Sequence, residues 1–205
     1  MNSSGRASLK SCRRILVKIG SRVLSTGRGM NNRVIDRLCD DLSLLRDNGK
    51  EFALVSSGAI AQGNAIMRIP KSHMSLSKKQ ALAAIGQGSL MRTYTDAFRR
   101  YGYTTSQILI TREDLDDRRR YLNIRNTFTA LFELGAIPII NENDTVSVEE
   151  IRFTDNDILS AMIIPLVEAQ AMIILTDTEG VYPVSYTHLR AHETVLDLVC
   201  RLLLE

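Results

Sequence analysis

The chain has 205 residues, of which 44% are apolar and 24% charged, a composition that suits one globular domain with a sizeable core and excludes a disordered chain. Its formal net charge is only +3, and the arginines at 118, 119 and 120 directly follow Asp114, Asp116 and Asp117, so we expect no nucleic-acid partner. The apolar runs are too short to span a membrane and no secretory signal opens the chain, which predicts a cytoplasmic protein with no membrane partner.

Short apolar runs rich in β-branched residues predict strands that are buried on both faces of a sheet. They lie at residues 15–17, 52–55, 108–110, 137–140 and 172–175. Helical patterns separate them, one ending at Asn48 and Gly49 and another covering 118–134 before Gly135. The alternation predicts an α/β fold, a three-layer αβα sandwich around a mostly parallel central sheet.

Some stretches leave alternatives open. Residues 75–99 predict one long helix or two, because Gly86 and Gly88 weaken the pattern in its middle. Pro165 lies inside another helical run, and it should kink that helix or end it early. Residues 1–12, rich in serine and arginine, predict a disordered lead-in.

Two polar clusters dominate what the sequence indicates about function. Asn141, Glu142, Asn143 and Asp144 follow an apolar strand, and residues 154–157 open the next helical run. Polar groups at a strand end point into the crevice where open α/β sheets bind ligands. The alternative is a helix cap plus a polar loop, but a cap needs only one such residue. We therefore favour a ligand site.

Two further strand ends carry groups suited to anions. Lys18 precedes Gly20 and Ser21, so one ammonium and the neighbouring backbone amides could hold phosphate oxygens; the alternative is a solvated lysine at a strand end. Ser57 and Gly58 form a turn after the second strand that could point amides at an anion; the alternative is an ordinary helix N-cap.

Several other kinds of site are excluded. The sequence has neither a G-x-x-x-x-G-K-[ST] loop nor a G-x-G-x-x-G turn, which argues against P-loop and dinucleotide chemistry. A Ser-His-Asp triad is implausible because His73 is the sole histidine before the C-terminal segment.

We also predict no metal site. His188 and His192 are followed by Glu193, which is the wrong order for a metalloprotease helix, and no third ligand is evident. The cysteines at 12, 39 and 200 lack metal-ligand spacing and predict neutral or buried thiols.

Seven segments, taken in order, resemble the glutamate 5-kinase family. They are residues 18–21, 55–61, 79–87, 121–127, 141–145, 155–157 and 175–177. The resemblance runs from about Arg13 to Tyr182. Its Ile-Ile-Asn-Glu-Asn-Asp-Thr-Val string, residues 139–146, distinguishes this family from the acetylglutamate, aspartate, carbamate and uridylate kinases of the same superfamily. Another amino acid kinase remains the alternative within that superfamily.

The resemblance implies a carbamate kinase-like fold and a defined reaction. The family uses ATP with Mg²⁺ as co-substrate to phosphorylate the side-chain carboxylate of L-glutamate, which gives L-glutamyl 5-phosphate at the first step of proline biosynthesis. Proline is the implied feedback inhibitor, and the full-length proteins are implied to be homo-oligomers.

The resemblance also implies roles for individual residues. Lys18 would contact the transferring phosphoryl group, and Asp157 would orient the catalytic lysines. The implied glutamate-binding residues are Ser57, Asp144 and Asn156. The implied phosphate and nucleotide residues are Gly20, Ser21, Thr176 and Asp177, together with Lys18.

The resemblance stops near Tyr182. We therefore expect a kinase domain over 13–182 that contains the glutamate-binding part and is incomplete at its C-terminus, followed by an unrelated tail over 183–205. Family members continue with further strands and a second phosphate-contacting lysine. The alternative to an active enzyme is thus a noncatalytic fragment that binds only glutamate or proline.

Overall fold

The computed structural model of the chain describes residues 10–25, 29–69, 74–147 and 156–177. Within these ranges five parallel strands form one sheet in the order β3-β4-β2-β1-β5. The strands are β1 Arg14–Ile19, β2 Glu51–Ser56, β3 Thr105–Ile110, β4 Ile137–Glu142 and β5 Ala171–Leu175. Each predicted strand is confirmed, and β2 and β4 are almost wholly buried, as parallel strands covered on both faces should be.

Helices connect these strands. In the described ranges they are α1 Ser21–Leu24, α2 Asn32–Asp47, α3 Ala59–Met67, α4 Leu76–Arg99, α5 Arg112–Asp116, α6 Arg118–Glu133 and α7 Asn156–Val167. The predicted stop of α2 is confirmed, because Gly49 takes a left-handed φ of 79° and its N–H donates to the carbonyl of Arg46. None of these helices has the length and apolar character needed to cross a membrane.

The sheet separates two apolar cores. Val17, Ile19 and their neighbours pack with α2 and α4 on one face, whereas Leu16 packs with α6 and α7 on the other. Side chains along a strand point alternately to the two faces, so one strand supplies both cores. The predicted three-layer αβα sandwich is confirmed.

Helix α4 is a single helix, and its glycines explain how it packs. A Cβ built on Gly86 would lie 1.8 Å from the carbonyl oxygen of Ala59, and one built on Gly63 would lie 1.9 Å from that of Leu82. Helices α3 and α4 therefore touch backbone to backbone at these two positions. Gly86 permits this close approach and does not interrupt α4.

Helix α7 passes through Pro165 and ends at Val167. Pro165 has no N–H to continue the helical hydrogen-bond ladder, and the next residue after the helix, Glu168, takes a left-handed φ of 54°. The guanidinium of Arg14 donates to the carbonyl of Val167 at 2.8 Å and satisfies one group at the helix end. The helix therefore continues through Pro165 and ends two residues beyond it.

The connections place a crevice between β2 and β4. Strands β1 and β2 lead into the helices on one face of the sheet, whereas β3 and β4 lead into the helices on the other face. Neighbouring strands whose connections leave to opposite faces open a gap beyond their carboxyl ends, which is where open α/β sheets bind ligands.

Candidate active site

The crevice between β2 and β4 brings the two polar clusters together. Asn156, the first residue of α7, donates its Nδ2 to Ser57 Oγ at 2.6 Å and to Asn141 Oδ1 at 3.2 Å. Ser57 follows β2, and Asn141 lies near the end of β4. Polar residues far apart in the sequence thus share one hydrogen-bonded group at the sheet's carboxyl edge.

Lys18 is buried beside this group. Its side chain points from β1 and is only 7% exposed, and Nζ lies 2.5 Å from Oδ1 of Asp157. A buried ammonium requires an opposite charge, and Asp157 also lies in the first turn of α7, where a negative charge is favourable. The alternative of a solvated lysine at the strand end is therefore wrong.

Ser57 is not a helix cap. Helix α3 begins at Ala59 with Gly58 as its N-cap, and no side chain makes a cap hydrogen bond there. Gly58 has a φ of 105°, which favours glycine and sharpens the turn after β2. The N-cap alternative is wrong, and the Ser57 hydroxyl is used in the crevice instead.

Ser56, the last residue of β2, makes a hydrogen bond to helix α4. Ser56 Oγ lies 3.0 Å from the hydroxyl of Tyr94, which is fully buried in α4. Burial raises the pKa of Tyr94 above its ordinary value, although the hydrogen bond to Ser56 acts in the opposite direction. Tyr94 is therefore a neutral structural residue whose hydrogen bond connects α4 to β2, the strand that leads to Ser57.

The residues implied to hold phosphate and nucleotide lie at the ends of β1 and β5. Gly20 donates its N–H to the carbonyl of Leu175 at 3.0 Å, so the loop after β1 lies against the end of β5. Asp177 follows Thr176 beyond β5, and its carboxylate lies 3.5 Å from the guanidinium of Arg22 in α1. Ser21, Thr176 and Asp177 thus lie beyond the carboxyl ends of the two paired strands β1 and β5, and Lys18 lies in β1.

Asp144 lies in a turn after β4. This turn is closed by the N–H of Ser147, which donates to the carbonyl of Asn143 at 3.2 Å, and it is joined to β3 through Asn143, whose N–H donates to Ile110. The Ser147 hydroxyl also donates to Glu142 at 3.0 Å. Asp144 itself is half-buried, three residues beyond Asn141.

A polar cavity of about 200 Å³ adjoins the same turn. It is lined by Thr111, Arg112, Glu113, Asp114, Arg120, Asn143, Val146 and Ser147. Burial acts to raise the pKa of Asp114, but hydrogen bonds from Thr111 and Arg120 outweigh it, so this pKa lies below its ordinary value. The cavity wall therefore carries a fixed negative charge paired with Arg120.

The family follows from the sequence match. Residues 13–186 match the Amino acid kinase family. The chain belongs to this family. The five-stranded parallel sheet between helical layers is consistent with an amino acid kinase fold.

Relatives that the chain resembles include proteins named Glutamate 5-kinase. The chain is 49% identical over 178 residues to the protein named Glutamate 5-kinase of Trichlorobacter lovleyi, covering 86% of the chain and 47% of the relative. It is 50% identical over 177 residues to that of Geobacter metallireducens, covering 86% and 48%, respectively. The chain thus spans about half the length of the curated relatives it matches.

The kinase match bears on one expected boundary. The kinase region was expected to end at Tyr182, whereas the family match extends to residue 186. Of the disordered lead-in predicted over 1–12, residues 10–12 are described, and Cys12 is buried in the core, so the lead-in does not extend to it. The boundary itself, the tail over 183–205, His188, His192 and residues 1–9 lie outside the described residues. These expectations stay predictions.

Two of the three cysteines lie within the described ranges, and both are buried. Burial raises the pKa of Cys39 to about 12, and this residue therefore keeps a neutral thiol in the core, as predicted. Cys12 is also buried. Within the described ranges, no group of three His, Cys, Asp or Glu side chains is arranged to hold a metal ion.

Sequence reasoning assigned no role to Gln87, which the structure places behind the crevice. Its Oε1 accepts from Asn141 Nδ2 at 2.9 Å, and the residue is 8% exposed. The sequence contained one signal for this role. Gln80 and Gln87 are seven residues apart in α4, a spacing that places both on the same side of the helix, near the buried Leu82 and Ala83. Gln80 donates to the carbonyl of Ser147, so both amides contact the segment that ends β4.

Proposed function

We propose that this chain contains the glutamate-binding part of a glutamate 5-kinase, which transfers the γ-phosphoryl group of MgATP to the side-chain carboxylate of L-glutamate. The observation that carries the proposal is the buried Lys18–Asp157 ion pair beside the Ser57–Asn156–Asn141 hydrogen bonds. Relatives named Glutamate 5-kinase, at 49% and 50% identity, support the choice of substrate.

The chemistry needs positioning more than proton transfer. A glutamate side chain has an ordinary pKa of about 4.3, so it is ionised at neutral pH and can attack phosphorus without a general base. Phosphoryl transfer then depends on alignment and on neutralising charge. Lys18 supplies a fixed positive charge to the transferring group, and Asp157 holds the lysine side chain in position.

The glutamate itself would lie over the crevice between β2 and β4. Ser57 and Asn156 provide its hydrogen bonds, and the carboxylate of Asp144 recognises its ammonium group. Asp144 is suited to this because the turn after β4 leaves it half-buried, where a charge-assisted hydrogen bond is stronger than in open water.

The nucleotide would lie at the ends of β1 and β5. Gly20 and Ser21 would hold phosphate oxygens, and Thr176 and Asp177 would begin the nucleotide site. The contact of the Gly20 loop with Leu175 supports this grouping. The proposal includes proline as feedback inhibitor, homo-oligomers and a cytoplasmic location, all of which rest on the family resemblance.

Two measurements on the purified chain test the proposal. Release of ADP that depends on both ATP and L-glutamate, and is lost in Lys18→Ala, would support the full reaction. A rise in melting temperature with L-glutamate, but not with D-glutamate, tests the binding part separately. Binding without ADP release would reduce the proposal to a glutamate-binding chain. The absence of both effects would overturn the proposal.

Asp144→Asn tests the ammonium contact. We expect the dissociation constant for L-glutamate to rise about tenfold or more, because a charge-assisted hydrogen bond becomes a neutral one. Calorimetric titration of the variant measures it. Asp96→Asn makes the same change at an exposed position on α4 and should leave binding unchanged. Normal affinity in Asp144→Asn, combined with a large loss of turnover and with loss of a fall in turnover at acidic pH that the wild type shows, would assign this residue to proton transfer instead.

A further inference from the structure

Four side chains form a continuous hydrogen-bonded chain from α4 to the crevice. Asn141 Nδ2 donates to Gln87 Oε1 at 2.9 Å, and Asn156 Nδ2 donates to Asn141 Oδ1 at 3.2 Å and to Ser57 Oγ at 2.6 Å. We refer to Gln87, Asn141, Asn156 and Ser57 as the amide relay. Gln87 is its inner end and Ser57 its outer end.

One backbone group sets the direction of every bond in the amide relay. The N–H of Glu142, which can only donate, lies 2.9 Å from Asn141 Oδ1. Turning the Asn141 amide over would bring two N–H donors together at this point. Asn141 must therefore present its Nδ2 to Gln87 and its Oδ1 to Asn156.

Gln87 has to answer with an acceptor. It presents Oε1 to Asn141, although its own Nε2 then meets no acceptor among the described residues. The opposite orientation would bring Gln87 Nε2 against Asn141 Nδ2, so two donors would meet. The observed orientation makes this hydrogen bond and leaves one buried donor without a partner. Gln87 is 8% exposed, so water access is limited on this side of α4.

The direction carries through to the groups that face the crevice. Asn156 uses Nδ2 for both of its bonds in the amide relay, so Oδ1 is the atom it can offer to a ligand as an acceptor. Ser57 accepts from Asn156 through its oxygen, so its hydroxyl proton remains available for donation. A donating hydroxyl fits a carboxylate, and an accepting amide oxygen fits an ammonium.

We propose that Gln87 is a positioning residue that holds in place the donor and acceptor polarity of the crevice, whose direction the Glu142 N–H sets. It acts through Asn141 and does not touch the substrate. The choice of L-glutamate as ligand rests on the proposed function above, whereas the role of Gln87 within the amide relay does not.

The first test needs no ligand and compares two glutamine-to-methionine variants. Gln87→Met removes the acceptor, whereas Gln62→Met removes a hydrogen bond to Ser89 between α3 and α4 and leaves the relay intact. In side-chain amide NMR spectra, hydrogen exchange of Asn141 Nδ2 should quicken about tenfold in Gln87→Met and stay unchanged in Gln62→Met. Equal exchange in the two variants would overturn the proposal.

Gln87→Glu provides a second test that still applies if the Gln87→Met variant does not fold. A glutamate at this position keeps an acceptor oxygen toward Asn141, so the slow exchange of Asn141 Nδ2 should be retained. If the amide protons of Asn141 exchange rapidly in Gln87→Glu while the chain stays folded, an acceptor at position 87 does not hold the amide relay in place, and the proposal is wrong.

Calorimetric titration with L-glutamate then separates the two proposals. Gln87→Met should weaken binding about tenfold relative to Gln62→Met, because Ser57 and Asn156 lose their fixed polarity. If Asn141 Nδ2 exchanges faster in Gln87→Met but the wild type does not bind L-glutamate, the proposed function is contradicted and the positioning role of Gln87 is supported. If the wild type binds L-glutamate, and Gln87→Met shows neither faster exchange of Asn141 Nδ2 nor weaker binding, the positioning role is contradicted and the glutamate-binding function is supported.

Discussion

Replacing Gly86 by alanine should destabilise the protein by at least about 3 kcal/mol or prevent it from folding. The added Cβ would lie 1.8 Å from the carbonyl oxygen of Ala59 and 2.4 Å from the backbone nitrogen of Gly63. Both are backbone atoms of α3, so no side chain can rotate aside to relieve the overlap. Helix α3 would have to move away from α4 as a unit.

Gly88 provides a matched control two residues along the same helix. A Cβ built there meets no atom within 4 Å, so Gly88→Ala should stabilise the protein by up to about 1 kcal/mol through helix propensity. Urea denaturation of both variants measures the difference. If Gly86→Ala unfolds at the same urea concentration as Gly88→Ala, the helices do not touch as described.

The effect of Gly86→Ala should extend to the crevice. Gly86 adjoins Gln87, which accepts the hydrogen bond from Asn141, and Ala59 begins the helix that follows the Ser57 turn. Separating α3 from α4 therefore pulls both ends of the amide relay apart. A Gly86→Ala variant that folds should bind L-glutamate more weakly than Gly88→Ala.

The sequence predicted each strand and most of the helices because burial on both faces leaves a local signal. Residues such as Val17 and Leu54 lie in apolar runs whose length and branching indicate a strand before any partner is known. The strand order carries no such local signal, since it depends on pairings such as β2 with β4 between distant segments. The position of the crevice could therefore not be predicted from the sequence alone.

Side-chain environments were predicted less well than elements. Lys18 was compatible with a solvated strand end, and its burial became evident only once α7 brought Asp157 to it. Gly86 suggested a weak point in α4, because a sequence shows the low helix propensity of glycine but not the helix packed against it. In both cases a segment distant in the chain decides the outcome.

The Lys18–Asp157 pair should respond asymmetrically to removal of either member. The Lys18 side chain is 7% exposed and that of Asp157 is 46% exposed. Asp157→Asn leaves a buried ammonium without this carboxylate and should cost about 2 kcal/mol, after allowing for solvent screening of the half-exposed acid. Lys18→Met leaves a carboxylate whose Oδ1 is buried but whose side chain is 46% exposed, so water still solvates it in part and the cost should be smaller, about 1 kcal/mol.

A double-mutant cycle in urea checks this asymmetry. In Lys18→Met combined with Asp157→Asn, the destabilisation caused by Asp157→Asn alone should largely disappear, because no buried ammonium remains. Equal costs for the two single variants would show that burial of the lysine does not determine the strength of the pair.

Turnover should follow a different pattern from stability. Any ADP release by the chain should fall by a factor of about 10³ or more in Lys18→Met, and the double variant should not recover it, because both lack the positive charge that we propose faces the phosphoryl group. Stability regained without activity would separate the two roles proposed for Lys18, a positive charge for phosphoryl transfer and a buried ammonium that requires Asp157. Recovery of turnover in the double variant would instead mean that Lys18 acts only by neutralising Asp157.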